Sequence, residues 1–141
     1  MAEFAPALFI LFFCALFPAI DLIGVALSYF SCSSLNDLQL REAVREPKSQ
    51  VIDPKGTVQL TIPLNWRNTL LGGLGATIED PQTQVDYIVG KYGINVTLST
   101  TFTIHPLFPI PFFAKVPALG APVTTTISHT RMLENPSFSI Q

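Results

Sequence analysis

The stretch FAPALFILFFCALFPAIDLIGVALSYF, residues 4–30, decides the fold of this chain. Asp21 is its only charged residue, and most of the others are apolar or small. At about 1.5 Å of rise per residue, a helix of this length measures roughly 40 Å, which exceeds the hydrocarbon thickness of about 30 Å in a bilayer. The stretch therefore predicts a helix long and apolar enough to cross a membrane.

The same helix is expected to continue to about Glu46 in an amphipathic form. The chain beyond the apolar stretch carries apolar residues at helical spacing among polar ones: Leu35, Leu38, Ala43 and Val44. This spacing predicts one apolar face that can be buried against another element. Pro47 is expected to stop the helix, because proline disfavours a helical residue before it.

Two residues interrupt the apolar character of the first half. Pro18 is expected to kink or open the helix, because it lacks the N–H that would bond to the carbonyl of Cys14. Asp21 follows three residues later. Either it simply lies near a membrane boundary, or it pairs with a polar group of a neighbouring subunit.

Composition excludes several functional classes. The chain has 141 residues, 13% of them charged, and a net charge of −2, which argues against a nucleic-acid-binding surface built from clustered Lys and Arg. Two cysteines, Cys14 and Cys32, cannot form a disulfide framework; they lie five turns apart on one helix and are expected to be free. His105 and His129 are expected at strand ends, without the partners of a catalytic triad or a metal site. We therefore expect neither an enzyme nor a cofactor.

Residues 47–141 differ in composition and predict a small antiparallel β domain. Apolar and hydroxyl side chains alternate with period two in three stretches, 57–62, 94–104 and 123–128, and residues 85–89 form a fourth candidate strand. Gly90 and Gly93 predict a hairpin turn between two of them. Asn95 begins an N-glycosylation sequon, which is a candidate only in a host with that machinery, and a polar strand face explains it better. The region around Trp66, residues 64–75, is expected to form a short helical turn or a loop.

Together these elements predict an α+β fold, with the sheet packed on residues 35–44 of the helix. The expected division is an N-terminal helix at residues 1–46 and a Thr- and Pro-rich β domain at residues 47–141.

A long apolar loop is expected between the last two strands, at residues 104–122. It contains five prolines, and its apolar side chains are Leu107, Phe108, Ile110, Phe112 and Phe113. Such a loop is too apolar to lie open in water. Two interpretations stand: the loop folds back over the sheet, or it contacts another subunit.

The N-terminus raises a question of processing. No Lys or Arg precedes Arg41, so the chain lacks the basic region of a secretory signal. We expect that a short basic leader was removed before Met1. Glu3 has two interpretations. Either it is an acid that the helix dipole stabilises at the N-terminus, or it is a partner for the amino group of Met1.

The opening MAEFAPALFILFF resembles the start of mature TadE-like pilins of tight-adherence systems, in the type IV pilin superfamily. The tail, VTLSTTFTIHPLFPIPFF followed by TTTISHTRMLENP, resembles their C-terminal pattern of Thr-rich strands around a Pro- and Phe-rich stretch. The resemblance covers both ends of the chain but not residues 47–84.

This resemblance implies a structural subunit that polymerises with copies of itself. It implies insertion in the inner membrane, cleavage by a prepilin peptidase, and export by an assembly machinery into an extracellular filament. Glu3 would then neutralise Met1 of an adjacent subunit, and Phe9, Phe12, Phe13, Leu16 and Phe17 would form the helix contacts of the filament core, near Pro18 and Asp21. The alternatives are a minor pseudopilin and a single-span anchored module that binds a partner through residues 108–113.

Overall fold

A long N-terminal helix dominates the structure. The computed structural model describes residues 4–72, 74–109, 113 and 115–139. Helix α1 covers Phe4–Ala43, with α-helical segments at Phe4–Leu11 and Phe17–Ala43 joined by a π-helical turn at Phe12–Leu16. The helix ends three residues before the predicted Glu46, where the chain tightens into turns. Pro47, which was predicted to stop the helix, is the N-cap of the next helix, α2 (Lys48–Ile52).

The predicted strand at residues 57–62 was wrong. Thr57–Thr61 forms a second π-helical turn that continues into helix α3 (Ile62–Arg67). The carbonyl of Val58 accepts a hydrogen bond from the Gln39 side chain at 2.7 Å instead of pairing with a strand. Pro63 stands in the first turn of α3, where a missing N–H costs little, whereas a sheet would lose a ladder bond there.

The remaining predicted strands form one antiparallel sheet. It contains β1 (Ala76–Gly90), β2 (Gly93–Ile104) and β3 (Val123–Met132), in that spatial order. Gly90 pairs with Gly93 across a two-residue turn, which confirms the predicted hairpin. Gly93 has a φ of 155°, a conformation that glycine adopts without strain. The register between β1 and β2 shifts between Ile78 and Thr83, so β1 contains a bulge.

The sheet packs on the second half of α1, which confirms the α+β fold. One cluster of buried side chains joins the end of the helix to β2: Leu40, Ala43, Val44, Val51, Val58, Val96, Leu98 and Leu133. A second cluster lies nearer the apolar end: Cys32, Leu35, Trp66, Phe102 and Ile127. The predicted helix face was partly wrong, because Leu38 is 47% exposed while Asn36 and Gln39 are fully buried.

The opposite face of the sheet is a ladder of hydroxyl groups. Four cross-strand pairs join β2 to β3 through their side-chain oxygens, at 2.7–3.2 Å: Thr97–Thr130, Ser99–Ser128, Thr101–Thr126 and Thr103–Thr124. These pairs explain the period-two alternation of Thr and Ser in the sequence, since every second residue points away from the helix.

Candidate functional site

The first part of α1, residues 4–16, projects beyond the sheet, and we call it the aromatic segment. Apart from the half-buried Leu8 and Phe13, its side chains are exposed within the chain. Only 11% of the most apolar window of α1, with a mean hydropathy of 2.5, is buried. By length and composition α1 is therefore a helix that can cross a membrane, and its apolar surface is left for lipid or for another protein.

Aromatic rings in this part of the helix pack on one another along one side. Phe9 and Phe13 have ring centroids 4.4 Å apart, and Phe13 meets Phe17 edge to face at 5.4 Å. Phe12 lies 6.4 Å from Phe17. Phe9, Phe12 and Leu16 nevertheless stay 42–55% exposed, so the predicted assembly residues of this part form a continuous apolar surface.

The helix widens just before Pro18, as expected for this proline. Across Phe12–Leu16 the hydrogen bonds follow the i to i−5 pattern, and the N–H of Phe17 donates to the carbonyl of Phe12. Because Pro18 has no N–H, the preceding turn can loosen at little further cost. Met1 and Glu3, the predicted charge pair, lie outside the described residues.

Asp21 has its partner within its own chain. It is fully buried, and its Oδ1 accepts a hydrogen bond of 2.8 Å from the backbone N–H of Phe108. Its Oδ2 is buried without a hydrogen-bond partner among the described residues. The partner that the structure shows for Oδ1 is thus the Pro- and Phe-rich loop of the same chain.

That loop lies along α1, an arrangement that neither sequence interpretation anticipated. Leu107 packs so closely on Gly24 that a Cβ at Gly24 would lie 2.6 Å from its Cδ1. The Phe108 ring is 5.8 Å from that of Phe17. We call these contacts, together with the Asp21 hydrogen bond, the helix–loop contact. Leu107 and Phe108 remain 39% and 49% exposed.

Two residues of the predicted contact loop, Ile110 and Phe112, lie outside the described residues. Phe113 is described and half-buried.

A buried polar network connects α1 to the sheet, and sequence analysis missed it. The Asn36 Nδ2 donates to the carbonyls of Leu98 and Ile127 and to the Thr100 hydroxyl, at 3.2–3.3 Å. These acceptors belong to β2 and β3, so one amide group holds the helix to two strands. The only sequence signal was an amide on the side of the helix that also carries Leu35 and Leu40.

Gln39 extends the network to β1. Its Nε2 donates to the carbonyl of Val58 and, at 3.2 Å, to the Thr83 hydroxyl, which is 3.0 Å from the Thr100 hydroxyl. A helix that met the sheet through aliphatic side chains alone could slide along it. Directional hydrogen bonds at two successive turns favour one register.

An open groove of about 960 Å³ lies between α1 and α3. Phe30, Leu38 and Leu71 line it, together with the charged Arg41 and Arg45. Trp66 forms part of its wall, and the indole N–H donates to the Ser31 hydroxyl at 2.8 Å. The groove is mainly apolar, which suits a side chain or helix more than a charged small molecule.

The far end of the sheet presents another apolar patch, which we call the distal tip. Val89 and Tyr92, at the β1–β2 hairpin, are 82% and 86% exposed, and Ile88 and Met132 are more than half exposed. The Lys91 Nζ lies 5.5 Å above the Tyr92 ring, so the tip combines apolar surface with one positive charge.

The described residues contain no group of three or more His, Cys, Asp or Glu side chains that could hold a metal ion. His105 directly follows β2, but His129 lies within β3 opposite Leu98, so its predicted position at a strand end was wrong. Cys14 is exposed and Cys32 is buried, and both are free, as expected from their spacing.

Comparisons with protein-family models, with curated proteins and with solved structures return no match for this chain. A proposal for the function therefore depends on the geometry of the molecule itself and on the sequence features described above.

Proposed function

We propose that this protein is a structural subunit that polymerises into an extracellular filament of the TadE-like, tight-adherence type. The observation that carries the proposal is the aromatic segment, which extends from a folded head while leaving most of its large apolar side chains exposed. A surface of this kind needs either lipid or copies of the same helix around it. A pilin uses both environments in turn.

The physical mechanism is an exchange of lipid contacts for protein contacts. In the inner membrane, lipid tails surround the aromatic segment, so the hydrophobic effect gives little drive for association. In a filament outside the membrane, the same rings of Phe9, Phe12 and Phe13 pack on neighbouring helices while water surrounds the heads. The cost of exposing the helices to that water then keeps the bundle closed.

The proposal assigns a charge pair to the start of the helix. Glu3 of one subunit would neutralise the amino group of Met1 in the next, because an unpaired carboxylate is costly in an apolar bundle. A prepilin peptidase and an assembly machinery would act on the subunit while it is in the inner membrane.

The first experiment is negative-stain electron microscopy of protein sheared from the native cell surface, with mass spectrometry of the same fraction. Thin filaments composed mainly of this chain support the proposal. Recovery of the chain from membranes alone, with none in sheared filaments, contradicts a major structural subunit.

Two pairs of variants test the mechanism. Phe9→Ala is expected to lower filament yield, whereas Leu64→Ala, at a similarly exposed apolar position on the head, is expected to leave it unchanged. Glu3→Gln is expected to reduce yield more than Glu42→Gln, which removes a carboxylate far from the start of the helix. Normal filaments from Glu3→Gln would refute the charge pair, and equal effects of both apolar variants would refute bundling through the aromatic segment.

A second candidate function is a single-span anchored binding module, and the distal tip favours it. Its exposed Val89 and Tyr92 are better placed for a partner than Phe108, whose backbone bonds to Asp21. This candidate predicts a stable monomer in mild detergent and no dependence on Glu3. A minor pseudopilin would instead be present in filaments at low abundance.

A further inference from the structure

The helix–loop contact occupies a defined level along α1. Counting from Phe4, a hydrocarbon layer of about 30 Å takes up roughly 20 residues of helix and ends near Ile23. The loop contacts the helix at Phe17, Asp21 and Gly24. It therefore lies beside the last two turns of a span that begins at Phe4.

Other placements of the span bring the loop deeper. If the helix tilts, or if the span begins later than Phe4, more of the helix beyond Ile23 lies within the hydrocarbon. For a span that begins at Phe4, the loop would lie outside only if the span ended before Phe17, which leaves about 13 residues and roughly 20 Å of helix. That length is too short to cross an ordinary bilayer.

The charges around the contact suit this depth. Between Phe4 and Asp37 the only charged residue is Asp21, and it is fully buried under the loop with its Oδ1 hydrogen-bonded. The loop thus shields from lipid the one carboxylate that lipid would not tolerate. Lys115, farther along the loop, is exposed and can extend its ammonium group to the headgroups.

The exposed side chains beside the contact are those that membrane interfaces favour. Leu107 and Phe108 point partly away from the protein, at 39% and 49% exposure. One to two turns further along the helix, Tyr29 and Phe30 are 45% and 69% exposed. Aromatic residues are enriched at the level where hydrocarbon meets headgroups.

We infer that Leu107 and Phe108 insert into the outer boundary of the lipid bilayer beside α1, so that the protein has a second, monotopic contact with the membrane. The occupant of this surface is the acyl-chain and glycerol region of phospholipid. The head is consequently held against the membrane instead of standing away from it on a bare helix. The inference rests on the membrane-anchored stage of the proposed function and does not require polymerisation.

Nitroxide-labelled lipids test this inference on the full chain in vesicles of phosphatidylcholine and phosphatidylglycerol. Phe108→Trp places a reporter at the loop, with Phe12→Trp as the control for membrane depth. Tyr92→Trp is the control for the water phase, because the distal tip lies at the other end of β2, about 35 Å away along the strand. The native Trp66 is 7% exposed, and its emission is subtracted as a common background.

The expected result is that a nitroxide near the lipid carbonyls removes about half of the emission added by Phe108→Trp, since indoles settle at that level. The same lipids should leave Tyr92→Trp unchanged, and nitroxides deep in the acyl chains should quench Phe12→Trp. Leu107→Trp provides a second loop reporter if Phe108→Trp does not fold, as judged by circular dichroism.

The inference is overturned if Phe12→Trp is quenched but the loop reporters are quenched no more than Tyr92→Trp. In that case α1 would be the only membrane contact. Absence of quenching at Phe12→Trp would instead contradict membrane anchoring itself, and with it that stage of the proposed function.

Discussion

Replacing Asn36 by Asp gives the sharpest test of how α1 is held to the sheet. The two side chains have nearly the same shape, but the substitution exchanges the only donor group of Asn36 for an oxygen. Three contacts of 3.2–3.3 Å, to Leu98, Thr100 and Ile127, then bring oxygen against oxygen, at a position with no exposed surface. The Thr100 hydroxyl can rotate to donate, but the two carbonyls cannot.

The expected loss is large because a charge is buried without a partner. Leaving such a charge uncompensated costs about 3–5 kcal/mol, so we expect Asn36→Asp to lower the free energy of unfolding by about 4 kcal/mol at pH 7. Asn36→Leu removes the same hydrogen bonds without adding a charge, and its expected cost is about 2 kcal/mol. The difference between the two variants isolates the electrostatic part.

The loss should also depend on pH. Burial without a cationic partner raises the pKa of the introduced carboxyl group above the value of about 3.9 that it has in the unfolded chain. The folded variant therefore binds its proton more tightly, and its stability increases as the pH falls from 7 towards about 4. Asn36→Leu, which has no such proton, should not regain stability.

Urea titration in detergent micelles provides the assay, with Trp66 emission as the signal. Trp66 is buried in the cluster that contains Leu35 and Phe102, so its emission follows the head and not the apolar helix. With a slope of about 2 kcal/mol per molar urea, the Asn36→Asp midpoint should fall by about 2 M. Asn65→Asp, on the exposed surface of α3, is the matched control and should shift it little.

A loss for Asn36→Asp no greater than that of Asn36→Leu would refute the reasoning, because the carboxylate would then have found a donor or water. An equal loss for Asn65→Asp would show that the effect is one of net charge and not of the buried network.

Three further predictions use the same preparation. Thr100→Val should cost about 1–3 kcal/mol because its hydroxyl is buried between the Asn36 amide and the Thr83 hydroxyl, whereas Thr101→Val, on the hydroxyl ladder, should cost less than about 1 kcal/mol; equal costs in urea titrations would contradict this. Burial raises the pKa of Tyr87, so the unfolded chain releases the phenolic proton first, and stability should decline as the pH rises past about 10. Tyr87→Phe should flatten that decline between about pH 9 and 11, and an unchanged slope would be evidence against it. N-ethylmaleimide should leave Cys32 unmodified in the folded protein and modify it after unfolding, because Cys32 is fully buried; modification of native Cys32, seen by intact mass spectrometry, would disprove that.

Much of the fold could be predicted because the relevant signals are local. The apolar residues 4–30 can hardly form anything but a helix suited to a membrane, since only a helix satisfies its own backbone there. The alternation at residues 94–104 and 123–128 follows from one face packing on α1 and the other forming hydroxyl pairs. The hairpin turn could be predicted from Gly90 and Gly93, the two glycines that flank it.

The wrong strand at residues 57–62 shows where a local signal is insufficient. Val58, Leu60 and Ile62 alternate with polar residues, yet the segment is helical. Over so few residues, a strand with period-two alternation and a widened helix bury similar positions. The segment therefore adopts the conformation that its contacts with residues distant in sequence favour. The Gln39 side chain donates a hydrogen bond to the carbonyl of Val58, and Pro63 favours the start of a helix over a strand.

The sequence by itself determined the apolar helix, the hairpin, the α+β class and the free state of both cysteines, because each depends on spacing within one segment. Only the tertiary structure decided that Asn36 and Gln39 face the sheet and that the loop covers Asp21. Polar side chains can be buried only where acceptors or donors from other segments meet them, and those partners lie 19–91 residues away in the chain. A pattern of hydrophobicity does not contain that pairing; it arises when the helix, the sheet and the loop come together.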